Sequence, residues 1–192
     1  KKSSWYLKII ISAVLLFVAN AVFAETSGSY IYDESGYALP CPTPYFSKQL
    51  YKFSTMPIGD LDGPTGICLD EEGNIVIADS GNERIIKMSA EGEVLRIIES
   101  EHFGKPTDVY VQKNSGDIYV ADPRKKHVVQ FDTSGNLIRL YESPPAETLP
   151  AKFIYEPTKL IVDKLGWLYL LGTGTSGGII QMTPGGSFGG YF

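Results

Sequence analysis

The chain has 192 residues, a length that suits one domain of ordinary size. Its 20 glycines, 12 prolines and 12 tyrosines favour a turn-rich all-β protein over a helical one. The formal net charge is −5, and an acidic surface repels phosphate backbones, which argues against nucleic acid as a partner.

The start of the chain has the pattern of a secretory signal peptide. Lysines precede an apolar run at 9–22, and the small residues Val22 and Ala24 suit cleavage by a signal peptidase. The run is shorter than the roughly 20 apolar residues that a membrane span requires. Residues 1–24 are therefore predicted to be a signal peptide removed before Glu25. An uncleaved anchor is the alternative, and it is the only membrane contact that we expect.

Residues 25–63 form a segment rich in tyrosine and proline that precedes the regular part of the chain. Tyr30–Tyr32 and Leu50–Phe53 have the composition of short strands, whereas the three prolines between positions 40 and 44 exclude a central strand there. Two interpretations remain open for this segment. It either supplies a strand that closes a ring of sheets, or it is a lead-in that lies on the surface.

The stretch from Pro64 to Ile98 predicts four short β-strands joined by tight turns. The four apolar runs are Ile67–Leu69, Ile75–Ala78, Arg84–Met88 and Val94–Ile98. Gly73 and Gly92 lie in the turns, where glycine adopts a positive φ at little steric cost. Short β-branched strands at this spacing indicate an antiparallel four-stranded sheet.

The same pattern recurs twice, beginning at Pro106 and at Pro157. Asp122 follows Asp79 by 43 residues, and the third copy keeps the Pro-Thr start and the apolar strands. A period of about 40–45 residues with four strands per unit is typical of a β-propeller blade. We predict a propeller region at 64–192, with blades at 64–105, 106–156 and 157–192.

The first copy resembles the NHL repeat. It contains Pro-Thr-Gly-Ile-x-x-Asp from Pro64, then Gly-Asn-Ile-x-x-Ala-Asp-Ser-Gly-Asn-x-Arg-Ile from Gly73, followed by a glycine-containing hairpin. The resemblance implies an all-β, NHL-type β-propeller. The residues that it marks as structural repeat positions are Asp79, Arg84, Asp122, Gly73, Gly92 and Gly135. With its leader and Pro-rich lead-in, the chain is similar to uncharacterised exported NHL-repeat proteins of Gram-positive bacteria, which implies a secreted or cell-surface bacterial protein.

Three blades do not close a ring, because closed propellers have about 4–8 of them. We expect either that the sequence is the N-terminal part of a longer protein or that two or more copies assemble into one ring.

Two groups of residues are candidates for a site. Asp79 and Arg84 either bind a ligand at a loop rim or stabilise their own turn, and we favour the structural role because the resemblance implies that such residues recur from blade to blade. The dense basic run is the candidate binding site for an anionic polymer, with a merely solvated loop as the alternative. It consists of Arg124, Lys125, Lys126 and His127.

No catalytic fingerprint, calcium-binding loop or zinc-ligand spacing occurs in the sequence. We therefore predict no catalytic residue and no cofactor, and calcium has no supporting motif. The favoured function is an exported non-catalytic binding or scaffold module whose loops contact protein or carbohydrate. One alternative, implied by resemblance to propeller lactonases and an amidating lyase, is a metal-dependent enzyme. The other is polyanion binding through the basic run.

Overall fold

The computed structural model describes residues 29–41, 49–149, 154–172 and 178–191. The chain divides into two compact units, 1–50 and 51–192. The predicted signal peptide at 1–24 lies outside the described residues. Within the part of the chain that is described, no helix has the length and apolar composition needed to cross a membrane.

The described residues of the first unit form a β-hairpin. Strand β1 is Ser29–Tyr32 and strand β2 is Ala38–Cys41, paired antiparallel. The carboxylate of Asp33 closes the turn by accepting the backbone N–H groups of Ser35 and Tyr37, each at 2.9 Å. The strand predicted at Tyr30–Tyr32 is therefore present.

The second unit contains three antiparallel sheets of four strands, each a meander in chain order. The first sheet is β3 (Gly66–Leu69), β4 (Ile75–Asp79), β5 (Arg84–Met88) and β6 (Val94–Glu99). The second is β7 (Asp108–Val111), β8 (Ile118–Asp122), β9 (His127–Phe131) and β10 (Leu137–Tyr141). The third is β11 (Pro157–Val162), β12 (Leu168–Gly172), β13 (Ile180–Met182) and β14 (Phe188–Tyr191). The predicted all-β fold is confirmed.

The strand predicted at Leu50–Phe53 is wrong. Residues 49–52 have no regular secondary structure, and Phe53–Thr55 forms a short 3₁₀ turn. A second 3₁₀ turn lies at Ala146–Thr148. The first turn is closed by local bonds, because the backbone N–H and the hydroxyl of Thr55 both donate to the carbonyl of Lys52. These local bonds prevail over the β-propensity of the aromatic residues.

A recurring five-residue turn joins the strands within each sheet. At residues 132–136 the carboxylate of Asp132 accepts the backbone N–H groups of Ser134 and Asn136, each at 2.8 Å. Gly135 has a φ of +83°, which glycine adopts without the strain that other residues incur. Gly73 and Gly92, the other two turn glycines named from the sequence, also have positive φ.

Apolar side chains pack between successive sheets. The cluster between the first two sheets includes Val76, Ile85, Val120 and Phe131. The cluster between the second and third includes Tyr119, Val128, Leu168 and Met182. Successive side chains of a strand point to opposite faces. The second sheet therefore contributes to both clusters and is covered on both sides.

The Pro-Thr pair that begins each repeat links neighbouring sheets. Their first strands, β3, β7 and β11, lie side by side. The hydroxyl of Thr65 donates to the carbonyl of Thr107 at 2.9 Å, and that of Thr107 donates to the carbonyl of Thr158 at 3.1 Å. The repeated threonine thus has a physical role, since it hydrogen-bonds each first strand to the next one.

Acidification is expected to weaken the contact between Asp70 and Lys87, whose carboxylate oxygen and Nζ lie 2.8 Å apart. Burial raises the pKa of Asp70, but hydrogen bonds from Lys87 and Asn74 outweigh it, so the pKa lies below its usual value of 3.8. A carboxyl group with a lowered pKa in the folded state contributes stability above its unfolded pKa. That contribution is lost as the pH falls through the folded value.

We therefore expect Lys87→Met to be less stable than the wild type at pH 7, with a difference that shrinks as the pH falls below about 4. Urea unfolding curves at several pH values would measure it. A difference that stays constant over this range would show that the hydrogen bond to Asp70 does not stabilise the fold.

Candidate functional site

The connections between sheets and the turns between second and third strands lie at one end of the sheets, as the antiparallel meander requires. We call this surface the connection rim and define it by residues 58–65, 79–84, 100–107 and 122–127, together with Glu156. The residues singled out from the sequence as structural or binding candidates meet here, except for the turn glycines, which lie at the opposite end.

Asp79 is fully buried at the end of β4. One carboxylate oxygen accepts the backbone N–H of Asp62 at 2.7 Å. The other accepts the side-chain amide of Asn82 and the Nε of Arg84, each at 2.8 Å. The carboxylate therefore joins the turn of its own sheet to the segment that leads into that sheet.

Arg84 uses the rest of its guanidinium group on the same segment. One terminal nitrogen donates to the carbonyl of Ile58 at 3.0 Å and the other to that of Asp60 at 3.3 Å. Every nitrogen of the guanidinium group thus has a partner in the protein. These are the contacts of a structural pair that holds residues 58–62 in place.

Asp122 occupies the same position in the second sheet. Its carboxylate is also fully buried and accepts the backbone N–H groups of Gly104, Lys105 and Lys125, at 2.7, 2.8 and 3.0 Å. His127 stands where the first sheet has Arg84, and its Nε2 lies 2.8 Å from the carbonyl oxygen of His102. The carboxylate is thus repeated in the second sheet, whereas its cationic partner is not, and the second strand of the third sheet ends at Gly172 instead.

The basic run does not form a single exposed patch. His127 is buried, which corrects its place in the predicted binding cluster. A terminal guanidinium nitrogen of Arg124 lies 3.5 Å from a carboxylate oxygen of Glu83, and the Nζ of Lys126 lies 3.9 Å from a carboxylate oxygen of Glu156. The Nζ of Lys125 donates to the carbonyl of Glu101, and Arg124 also donates to that of Gly104. The tight turn at 123–126 directs these side chains to different partners, so the surface carries mixed charge.

Glu83 and Lys126 share a feature that the sequence did not reveal. They occupy equivalent turn positions and have φ values of +52° and +59°. This left-handed region is uncommon for residues other than glycine. The same turn therefore recurs at the rim of both sheets, with a charged side chain at its tip.

An ion pair near the first strands was also missed. The Nζ of Lys159 lies 3.2 Å from Oδ1 of Asp108 and 3.3 Å from the carbonyl oxygen of Thr65. The other oxygen of Asp108 accepts the backbone N–H of Leu160 at 3.0 Å. Alignment of the repeats gives a signal that could have found the pair, because Asp108 and Lys159 both follow the Pro-Thr dipeptide directly.

No cluster of three or more His, Cys, Asp or Glu side chains able to hold a metal ion occurs among the described residues. The expectations that the chain has no catalytic residue and no cofactor stay predictions.

Comparison with known proteins bears on the fold. A family model described as "NHL repeat" matches residues 61–88, which cover the segment leading into the first sheet and its first three strands. A search of curated proteins returned no match.

Solved structures match over a larger part of the chain. A streptogramin B lyase superposes with a TM-score of 0.54 at 18% identity, covering 82% of this chain and 45% of the lyase. Hydrazine synthase of Kuenenia stuttgartiensis superposes with a TM-score of 0.56 at 15% identity, covering 77% of this chain and 39% of the synthase chain. Selenomethionine-substituted virginiamycin B lyase from Staphylococcus aureus superposes with a TM-score of 0.52 at 14% identity, covering 82% of this chain and 45% of that lyase.

The chain carries an NHL repeat in a β-propeller fold. The three sheets are thus propeller blades, as the repeat spacing predicted. The chain spans less than half the length of these solved structures. Because identities of 14–18% show the fold alone, the chemistry of the lyases is not transferred to this chain.

Proposed function

We propose that this NHL-repeat chain is a non-catalytic binding or scaffold module that contacts a protein partner through the connection rim. The observation that carries the proposal is the combination of a backbone fixed from within and exposed side chains of both charges. Asp79 and Asp122 supply the first feature, because each buried carboxylate holds the backbone of a rim segment. A surface ordered before binding loses less conformational entropy when a partner docks.

The charged side chains of the rim supply the second feature. Arg124 and Glu83 form one pair across the first and second blades, and both side chains are mostly exposed. Lys126 and Glu156 form a second, looser pair. Exposed pairs of this kind contribute only about 0–1 kcal/mol. Their side chains can therefore exchange partners at small cost and engage complementary charges on another protein.

A protein surface suits the rim better than the other partners considered. A polyanion requires cations without acidic neighbours, whereas the rim places Glu83 and Glu156 beside its basic side chains. A neutral carbohydrate would gain little from charges of both signs. We further propose that the chain is a secreted or cell-surface bacterial protein, since residues 1–24 have the pattern of a signal peptide.

Reversing two rim charges is expected to weaken binding. The purified chain would be panned against a random peptide display library and, in parallel, tested on a glycan array. We expect peptide ligands whose affinity falls roughly tenfold in Arg124→Glu/Lys126→Glu and also falls as salt rises. The matched control is Lys113→Glu/Lys164→Glu, which changes the net charge equally at exposed sites in turns of the opposite end.

Three outcomes would contradict the proposal. Peptides that bind the rim variant as well as the wild type would place the site elsewhere. Binding to glycans alone would replace the protein partner by a carbohydrate. Loss of thermal stability on adding a chelator, together with metal-dependent turnover of a lactone or peptide substrate, would favour the enzyme alternative.

A further inference from the structure

The turns that join the first and second strands of the three blades lie at the end of the sheets opposite the connection rim. A cleft of about 230 Å³ lies among these turns, lined by Glu71, Tyr110, residues 112–114 and residues 162–164. We call it the turn cleft. Each of the three blades contributes to its lining, so the packing of the blades creates it.

Hydrogen bonds between blades fix the walls of the turn cleft. Gln112 is buried, and its side-chain amide donates to the carbonyl of Asp163 at 3.0 Å. The side-chain amide of Asn114 donates to the carbonyl of Lys164 at 3.3 Å. The turn of the second blade therefore holds the turn of the third in place. A cleft whose walls are ordered in advance loses less conformational entropy when a ligand binds.

The hydroxyl of Tyr110 is available to a ligand. The side chain is partly buried in the cleft wall, yet its hydroxyl forms no hydrogen bond with any residue that the structure describes. Burial raises the pKa of this hydroxyl, and the neighbouring Cys68 and Asp163 raise it further. The group is therefore protonated at neutral pH and can donate to an acceptor in the cleft.

Charged side chains of both signs line the same cleft. The carboxylate of Glu71 and the ammonium groups of Lys113 and Lys164 have no ion-pair or hydrogen-bond partner in the described part of the chain. The carboxylate of Asp163 is already used, because one of its oxygens accepts two backbone N–H groups of its own turn, at 2.8 and 3.0 Å. The turn cleft therefore offers one free carboxylate, two free cations and one free hydroxyl.

This combination favours a small zwitterion over other polar ligands. A phosphate ion would be repelled by Glu71 and Asp163, and a neutral sugar would leave the charged side chains without charged partners. The cleft is smaller than the roughly 300–1,000 Å³ of pockets that hold drug-sized molecules. A free amino acid is small and carries one carboxylate and one ammonium group close together.

We propose that the turn cleft binds a free α-amino acid. The ligand carboxylate accepts a hydrogen bond from Tyr110 and pairs with Lys113 and Lys164, and the ligand ammonium group pairs with Glu71. This site is separate from the connection rim and independent of the proposed function. The variant Lys113→Glu/Lys164→Glu should lose the amino acid while it keeps the peptides that bind the rim, so the two proposals fail separately.

A panel of free amino acids tests the proposal on the full chain. Melting temperatures identify the binders, since a ligand that binds only the folded state raises the melting temperature. Isothermal titration calorimetry then measures their affinity, which we expect in the micromolar to millimolar range. The N-acetyl derivative and the carboxamide of each binder should bind roughly tenfold more weakly, because each lacks one charged group.

Two variants assign the contacts. Glu71→Gln should weaken the free amino acid roughly tenfold and leave its N-acetyl derivative unchanged, because that derivative has no ammonium group. Tyr110→Phe should weaken both compounds, since both retain the carboxylate. The matched control is Glu93→Gln, which makes the same change at an exposed carboxylate in another turn of the same end and should leave both affinities unchanged. Melting temperatures without ligand show that the variants are folded.

Three results would overturn the proposal. The first is that no amino acid of the panel binds at millimolar concentration. The second is an amino acid that binds Glu71→Gln as tightly as the wild type, which would place its site elsewhere. The third is binding of glucose or inorganic phosphate in the absence of any amino-acid binding, which would replace the zwitterion by a neutral sugar or an anion.

Discussion

Replacement of Asp79 by alanine is expected to lower the free energy of unfolding by about 3–5 kcal/mol. The carboxylate is fully buried and accepts bonds from the backbone of Asp62, the amide of Asn82 and the guanidinium group of Arg84. Its removal leaves a largely buried cation and a backbone N–H without their acceptor. Urea unfolding followed by circular dichroism would measure the loss.

Three further variants, one of them the single substitution Arg84→Ala, show whether the loss comes from the ion pair of Asp79 and Arg84. In Asp79→Ala/Arg84→Ala the destabilisation should be smaller than the sum of the two single effects, because both substitutions remove one shared interaction. Asp132→Ala is the matched control, since the carboxylate of Asp132 bonds only within its own turn. This substitution should lower the free energy of unfolding much less. If Asp79→Ala and Asp132→Ala were equally stable, the buried carboxylate would not be structural, and a ligand-binding role for Asp79 would regain support.

Truncation of Leu170 to alanine is expected to destabilise the chain by about 2–5 kcal/mol. Leu170 is 0% exposed and belongs to the cluster between the second and third blades. Its neighbour on β12, Leu171, is 48% exposed and points to the other face of the same sheet. Leu171→Ala should therefore change the stability by no more than about 0.5 kcal/mol.

The comparison of these two leucines tests the direction in which the third blade faces. Both variants lose the same atoms from adjacent positions, so a difference in strand propensity cannot separate them. The urea midpoints of the two variants would give the difference in their free energies of unfolding, provided that the free energy falls with urea concentration at the same slope in both. Equal destabilisation would mean that both faces of the third blade are buried in solution.

Much of the local structure could be predicted from the sequence. The five-residue turns at Gly73, Gly92 and Gly135 have positive φ at the glycines, and the strands begin and end near the predicted apolar runs. The predicted strand at Leu50–Phe53 is wrong, because the local bonds of Thr55 to Lys52 form a turn there instead. The residue preferences of turns and the alternation of side chains along a strand act over a few neighbouring residues. The sequence pattern could therefore predict the turns and the strands.

The arrangement of side chains at the candidate site depended more on tertiary structure. Four adjacent residues at 124–127 suggested one basic cluster, but the fold buries His127 and places Glu83 and Glu156 beside Arg124 and Lys126. No spacing in the sequence announces such pairs, since the partners lie in different blades and connections.

The sequence by itself therefore determined the strands, the turns and the repeat, because those depend on the steric and hydrogen-bonding preferences of neighbouring residues. Only the tertiary structure decided that Leu170 is buried and Leu171 exposed, that Lys159 meets Asp108, and that the hydroxyl of Tyr51 donates to the carbonyl of Ala90. Each of these depends on which blade faces a given side chain, and the packing of residues distant in sequence sets that choice.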